Sequence, residues 1–183
     1  AGVTGVSSIQ ILSHGDAGYL RLGTNLVSNF SLNKFSSQIS SWGDSLTANA
    51  DILIYGCDVA EGETGKTLVD NLASLTGADV AASIDDTGNS IYGANWTLEY
   101  TTGSIESSLA LGSTDVTANW TGELAQYVVG RDTDLGLAGE LRVEIANANL
   151  NPGADIVTLD TYGMYWNGGD NIIDLTQALA INI

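Results

Sequence analysis

The chain is poor in reactive side chains. Its 183 residues include one histidine, one cysteine and one methionine, and only 5 basic side chains against 22 acids, for a net charge of −17. A single cysteine cannot close an intrachain disulfide, so no covalent staple shapes the fold. No apolar run approaches the roughly 18 residues of a membrane-spanning helix, and no membrane insertion is expected. The opening "AGVTGVSSIQ" has no Met, basic n-region or apolar h-region, and it reads as a processing boundary rather than a signal peptide. So acidic a surface repels phosphate backbones and anionic lipid, which argues against nucleic-acid and membrane-surface partners. Little lysine beside much Asp, Asn, Gly, Ser and Thr matches the composition of extracellular or cell-surface bacterial proteins. Calcium is compatible with that setting; no cofactor is required.

What is present is enough for a core, since 44% of residues are hydrophobic. "SIQILS" (8–13) has the pattern of a strand, and "GYLRLG" that of a short second strand or hairpin arm. Leu32, Phe35, Ile39, Trp42 and Leu46 then recur at helical spacing, with Ser31 available as N-cap. "DILIYG" (51–56) is a near-continuous apolar run, the signature of a strand covered on both faces. Leu68, Leu72 and Leu75 share one face of a second helix, and Gly77 stands where a C-cap belongs. "ADVAAS" (78–83) predicts a third buried strand and "NWTLEY" (95–100) a further one. Strands alternating with helices imply an α/β fold with a mainly parallel sheet flanked by helices. From residue 126 the texture turns to β-prone stretches between Gly, Asn and Asp. The expected organisation is therefore a domain over 1–125 and a β-rich extension, or the start of a neighbouring module, over 126–183.

The lone His14 and the lone Cys57 each stand where an apolar run ends in a Gly-containing turn. In a parallel sheet, function gathers beyond the carboxyl ends of the strands. Two strands joined by one crossover helix are usually neighbours, roughly 5 Å apart. Imidazole and thiol would then meet at one sheet edge, as a nucleophile and its base. Gly15 and Gly56 would leave room for a substrate backbone, and the amides of Gly15 and Cys57 would suit an oxyanion hole. Each residue alone has a plainer reading, a small buried thiol and a structural imidazole. One His and one Cys make a poor metal site.

The stretches "IQILSHGDAGYLRLG", "WGDSL", "ADILIYGCDVAEGETGKTLVDNLASLTGADVAASIDDTG" and "GANWTLE" together resemble the DUF4347 domain of very large bacterial surface and adhesin-like proteins. The His-Gly and Gly-Cys turns are also similar to those of the caspase-like clan of cysteine peptidases. The resemblance, over residues 8–125, implies a caspase-like sheet, His14 as base and Cys57 as nucleophile, cutting a protein or peptide, its own chain included. It also implies strand and helix units ahead of the histidine strand, so the sheet edge beside that strand should need a cover. Ser83, Asp85 and Asp86 would wall the pocket for the residue before the scissile bond, favouring a basic residue; of Arg21, Lys34, Lys66, Arg131 and Arg142, Arg131 is the expected cut. Asp85 and Asp86 equally suit an Asp-Asp-Thr-Gly turn. Asp16 and Asp58, beside the pair, would orient His14 or form a cation-attracting rim, or simply be solvated loop acids. The rival expectation is a non-catalytic module of an adhesin or filament, forming homo-oligomers or exchanging strands with a partner.

Overall fold

The computed structural model describes residues 3–108, 117, 119–124, 127–129 and 157–159. The chain divides into two compact units, 1–125 and 126–183. In the first, β1 (Val6–Leu12) leads into β2 (Gly15–Asp16), β3 (Tyr19–Leu22) and β4 (Asn25–Ser28), then α1 (Leu32–Gly43) and β5 (Leu46–Tyr55). After these come α2 (Gly62–Thr76), β6 (Asp79–Ala82), a short 3-10 turn at Ser90–Tyr92 and β7 (Tyr100–Thr101). The main sheet has the order β1-β5-β6-β7, with β1, β5 and β6 parallel and β7 antiparallel. The α/β expectation therefore holds, with the parallel strands at its centre. Among the described residues no strand pairs with the outer side of β1.

Strand β5 is the axis of the unit. Residues 50–57 are all buried, because each face of the strand has its own cover. Ile52 and Ile54 point to the side where Leu32 and Ile39 of α1 and Leu68, Val69 and Leu72 of α2 pack. Leu53 and Tyr55 point the other way, against Trp96, Leu98, Ile105, Trp120 and Leu124. Alternate side chains of a strand face opposite ways, so one apolar run supplies both layers. The second layer is, among the described residues, a largely irregular ribbon, stiffened by an edge-to-face contact of Trp96 and Trp120, centroids 5.6 Å apart.

Four local expectations change. "GYLRLG" is the middle of a three-stranded antiparallel sheet, β2-β3-β4, rather than one hairpin arm. Ser31 holds the N-cap position of α1 but makes no side-chain cap bond: its hydroxyl donates to the Leu26 carbonyl at 2.8 Å and accepts from the Ser28 amide at 2.9 Å, closing the turn before the helix. Helix α1 stops at Gly43, where a Cβ would lie 2.4 Å from the Thr76 carbonyl oxygen, so Leu46 opens β5 instead of continuing the helical stripe. The strand over "NWTLEY" shrinks to Tyr100–Thr101, because Trp96 and Leu98 are spent covering the sheet. Helix α2 ends as expected at Gly77, which takes the left-handed conformation (φ 73°) and donates to the Ala73 carbonyl.

In the second unit, β8 (Tyr127–Val129) pairs in parallel with β9 (Val157–Leu159). The rest of the β-rich extension, with Arg131 and Arg142, lies outside the described residues.

Helix α2 sits against the loop after β5 only because residue 65 is glycine. A Cβ there would stand 2.5 Å from the Ala60 carbonyl carbon and 2.6 Å from the Val59 carbonyl oxygen, both backbone. Gly65→Ala should therefore destabilise the fold by about 1–2 kcal/mol, overpacking outweighing the helix-propensity gain of about 1 kcal/mol. Chemical denaturation of the two proteins tests it; an unchanged or raised midpoint would show that the loop yields freely.

Candidate functional site

The register of the sheet brings the two singular residues level. β1 pairs with β5 up to Leu12 opposite Tyr55, and the Ser13 amide continues the ladder to the Tyr55 carbonyl at 3.0 Å. His14 and Cys57 each follow that last pair by two residues, at the carboxyl ends of neighbouring parallel strands. Beyond His14 the chain turns into β2, held there by the Arg21 amide donating to the His14 carbonyl at 3.1 Å.

Gly15 and Gly56 make room for each other's loops rather than for a substrate. A Cβ on Gly15 would meet Val59 Cγ2 at 2.4 Å and the Cys57 carbonyl oxygen at 2.7 Å; one on Gly56 would meet the Ser13 carbonyl oxygen at 2.8 Å. With that packing, the amides of Gly15 and Cys57 converge on one acceptor. Both donate to the carbonyl oxygen of Leu124, at 2.9 and 3.4 Å.

Leu124 arrives there on a segment paired with the loop after β6. The Asn89 amide donates to the Gly122 carbonyl at 3.0 Å, Gly88 and Glu123 form an antiparallel bridge, and the Leu124 amide donates to the Thr87 carbonyl at 2.9 Å. Gly88 (φ 146°) is required: a Cβ would sit 2.4 Å from the Gly122 carbonyl oxygen and 2.8 Å from Glu123 Cα. The Leu124 side chain, 6% exposed, packs with Leu53, Tyr55, Cys57 and Ala81.

Cys57 is fully buried. Its Sγ accepts from the Thr87 amide at 3.1 Å and lies 3.5 Å from the Thr87 carbonyl oxygen, the same oxygen that receives the Leu124 amide. Burial pushes the thiol strongly up from its ordinary pKa, and the nearby Asp86, Asp58 and Glu123 carboxylates push in the same direction against the Thr87 hydrogen bond. The thiol is therefore protonated at neutral pH.

The acids near the pair are brought together, in other roles than a pocket wall. The Asp58 amide donates to the Asp85 carbonyl at 3.0 Å and the Ala60 amide to the Ser83 carbonyl at 2.8 Å, tying the cysteine loop to the loop after β6. Ser83 is buried, its hydroxyl within reach of the Asp85 carbonyl oxygen (2.9 Å), Asp85 Oδ1 (3.1 Å) and Glu99 Oε2 (3.3 Å). Both Asp85 carboxylate oxygens accept from Asn95 Nδ2 at 3.0 Å, and the Asn95 amide donates to the Asp86 carbonyl at 2.9 Å. Ser83 and Asp85 thus brace a turn, and the side chain seated beside the thiol is the apolar Leu124. Asp16 accepts from the Ala17 amide at 2.7 Å.

Asn95 and Leu124 escaped the sequence reading as site residues, and Thr87 and Gly88 entered it only as part of an Asp-Asp-Thr-Gly turn. Gly88, next to a Thr in a polar turn, carried the one visible signal; the others act through backbone or turn contacts that side-chain pattern does not encode. Among the described residues the group suited to a metal lies elsewhere, at Asp51, Asp79 and Glu106.

Residues 1–124 match a family described as a domain of unknown function, DUF4347. The chain belongs to that family. No curated protein and no solved structure matches it.

Asp58 gives the site a pH signature. Burial first, then the Asp86, Glu61, Asp16 and Asp85 carboxylates, raise its pKa from 3.8 to about 7. A carboxyl whose folded pKa lies above its unfolded one contributes stability that is fully present below the unfolded value and is lost as pH rises through the folded value. Thermal stability should thus decline between about pH 4 and pH 7 through this group. Asp58 also holds a left-handed backbone (φ 60°), which Asn tolerates. Asp58→Asn should flatten that part of the Tm-versus-pH curve without unfolding the domain; an unaltered slope would assign the dependence to other acids.

Proposed function

We propose that the DUF4347 domain of this chain is a cysteine endopeptidase of caspase-like type, with Cys57 as nucleophile and His14 as its base. The reading is carried by one observation: the amides of Gly15 and Cys57 are aimed at a single carbonyl oxygen at the carboxyl edge of a parallel sheet. Two donors fixed on one oxygen, next to a thiol, are what a tetrahedral acyl intermediate needs. The protonated state of Cys57 fits attack with general-base assistance rather than a resting thiolate. The substrate is a protein or peptide in extended form, and bond cleavage needs no cofactor. The setting is extracellular or at a bacterial cell surface, as the acidic composition suggests. Neither nucleic acid nor membrane insertion belongs to this reading.

A second reading is favoured by a separate observation, the unpaired outer side of β1 among the described residues. On it the domain is an assembly module of an adhesin or filament, completed by a strand from another copy or another surface protein.

Incubating the 183-residue chain with a peptide library should give hydrolysis that disappears in Cys57→Ala and falls by roughly 10²–10⁴-fold in His14→Ala, the usual worth of a general base. Hydrolysis equal in all three proteins would refute the dyad. An inert chain that sediments as an oligomer would install the assembly reading in its place.

A further inference from the structure

The group occupying the amide pair is part of the protein itself. Gly122, Glu123 and Leu124 pair with Thr87–Asn89 through the Gly122 carbonyl and the Leu124 amide, while the Leu124 carbonyl reaches the Gly15 and Cys57 amides. Backbone pairing on one side, an apolar side chain buried beside the thiol, and a carbonyl held by two amides make the arrangement of a bound substrate whose reacting carbonyl belongs to Leu124.

Resting on the peptidase reading, we infer that the substrate is this chain and that the scissile bond is Leu124–Ala125. Cys57 Sγ bonds to the Leu124 carbonyl carbon while the thiol proton passes to His14. The electron pair displaced onto oxygen is held by the Gly15 and Cys57 amides. Its return breaks the bond to the Ala125 nitrogen, which leaves as an amine after taking the proton from His14. One water then hydrolyses the Leu124 thioester, restoring the thiol and leaving a carboxylate. The specificity is for an apolar residue before the cut, because Leu53, Tyr55, Ala81 and Cys57 surround that side chain and Asp85 is held by Asn95. On this inference the cut falls after Leu124 and not after Arg131, which lies outside the described residues.

The experiment is intact-mass measurement of the purified 183-residue chain over time, with and without calcium chloride. Fragments 1–124 and 125–183 are expected, absent in Cys57→Ala. Leu124→Met should retain cleavage, and Leu124→Lys, which would put a charge in an apolar site, should slow it at least about a hundredfold; circular dichroism confirms that each variant is folded. Cysteine-dependent hydrolysis at other bonds only, in the chain or in added peptides, would overturn the bond assignment and leave the peptidase standing. No cysteine-dependent hydrolysis of either kind would remove both. Cleavage of Leu124→Lys at the wild-type rate would overturn the apolar specificity, and with it the seating of Leu124 as the reacting residue.

A different observation, further back on β5 and at the start of β6, carries a second inference. Asp51 of β5 lies directly across from Asp79 of β6, and one oxygen from each, with one from Glu106, fall within 4.8 Å of one another. Like charges facing across a ladder are destabilising. Asp51 is fully buried; its Oδ2 accepts from the Glu106 and Ser107 amides at 3.1 and 2.7 Å, while Oδ1 has no partner. A buried carboxylate oxygen left unsatisfied beside two further carboxylates calls for a cation. We infer that these three residues bind calcium, the hard cation that accepts an irregular all-oxygen set, in preference to magnesium. Titration with calcium chloride should raise Tm by several degrees and magnesium chloride at equal concentration by much less. The difference should vanish in Asp79→Asn and Glu106→Gln, whose side chains are not fully buried, and survive in Glu63→Gln, which removes an acid outside the group. Equal shifts with both metals, or a calcium shift preserved in the Asp79 and Glu106 variants, would reduce the effect to screening of an acidic surface and end the assignment.

Discussion

Two backbone amides at the ends of adjacent strands, those of Gly15 and Cys57, share one acceptor, the carbonyl oxygen of Leu124. A buried amide without a partner costs about 1–3 kcal/mol, so this single oxygen satisfies two groups that would otherwise weigh against the fold. It also anchors the ribbon that crosses the second face of the sheet. Trp96, Trp120 and Leu124 cover Leu53 and Tyr55 only because the ribbon's end is pinned, at the amide pair and along Thr87–Asn89. The second layer of the core and the candidate site are thus one construction.

That construction explains how a largely irregular ribbon can bury a sheet face. Its cohesion comes from aromatic side chains packed on β5 and from pairing of its last three described residues with the loop after β6. The helical face is independent of it: α1 and α2 meet Ile52, Ile54 and Val80 through regular apolar stripes. A change in the ribbon therefore exposes Cys57 and Tyr55 while leaving the helical layer intact, and a change in α2 does the reverse.

The difference in construction also decides what could be read in advance. Apolar runs gave β5 and β6, helical spacing gave α1 and α2, and Gly77 marked its turn, because each depends on side-chain pattern within a short window. The placement of His14 and Cys57 after parallel neighbours followed from the same patterns. What escaped is long-range backbone pairing. Thr87 and Leu124 are joined across 37 positions by main-chain groups that every residue carries, so composition cannot mark them. Ser31 marked the cap position but not its side-chain bond for a related reason, since a serine before a helix serves a turn as well as a cap and the competing acceptor lies in β4. The acids at 85 and 86 suggested an ion-pairing pocket, but an asparagine ten residues on claims Asp85.

The burial of Cys57 bears on order of events in the proposed reaction. Seating Leu124 dries the thiol and, together with Asp58, Asp86 and Glu123, holds it protonated. A thiolate formed before attack would meet those carboxylates at low dielectric, so ionisation ahead of bond formation is disfavoured. Proton transfer and attack are then coupled: negative charge passes from sulfur to the carbonyl oxygen, where two amides already wait and need no reorganisation. The acids near the sulfur resist charge there, and the amides welcome it at the oxygen. Once the bond is cut, the new Leu124 carboxylate meets the same two donors, so the product binds at least as well as the peptide did. A site built this way suits one cut in its own chain better than repeated turnover of free peptides.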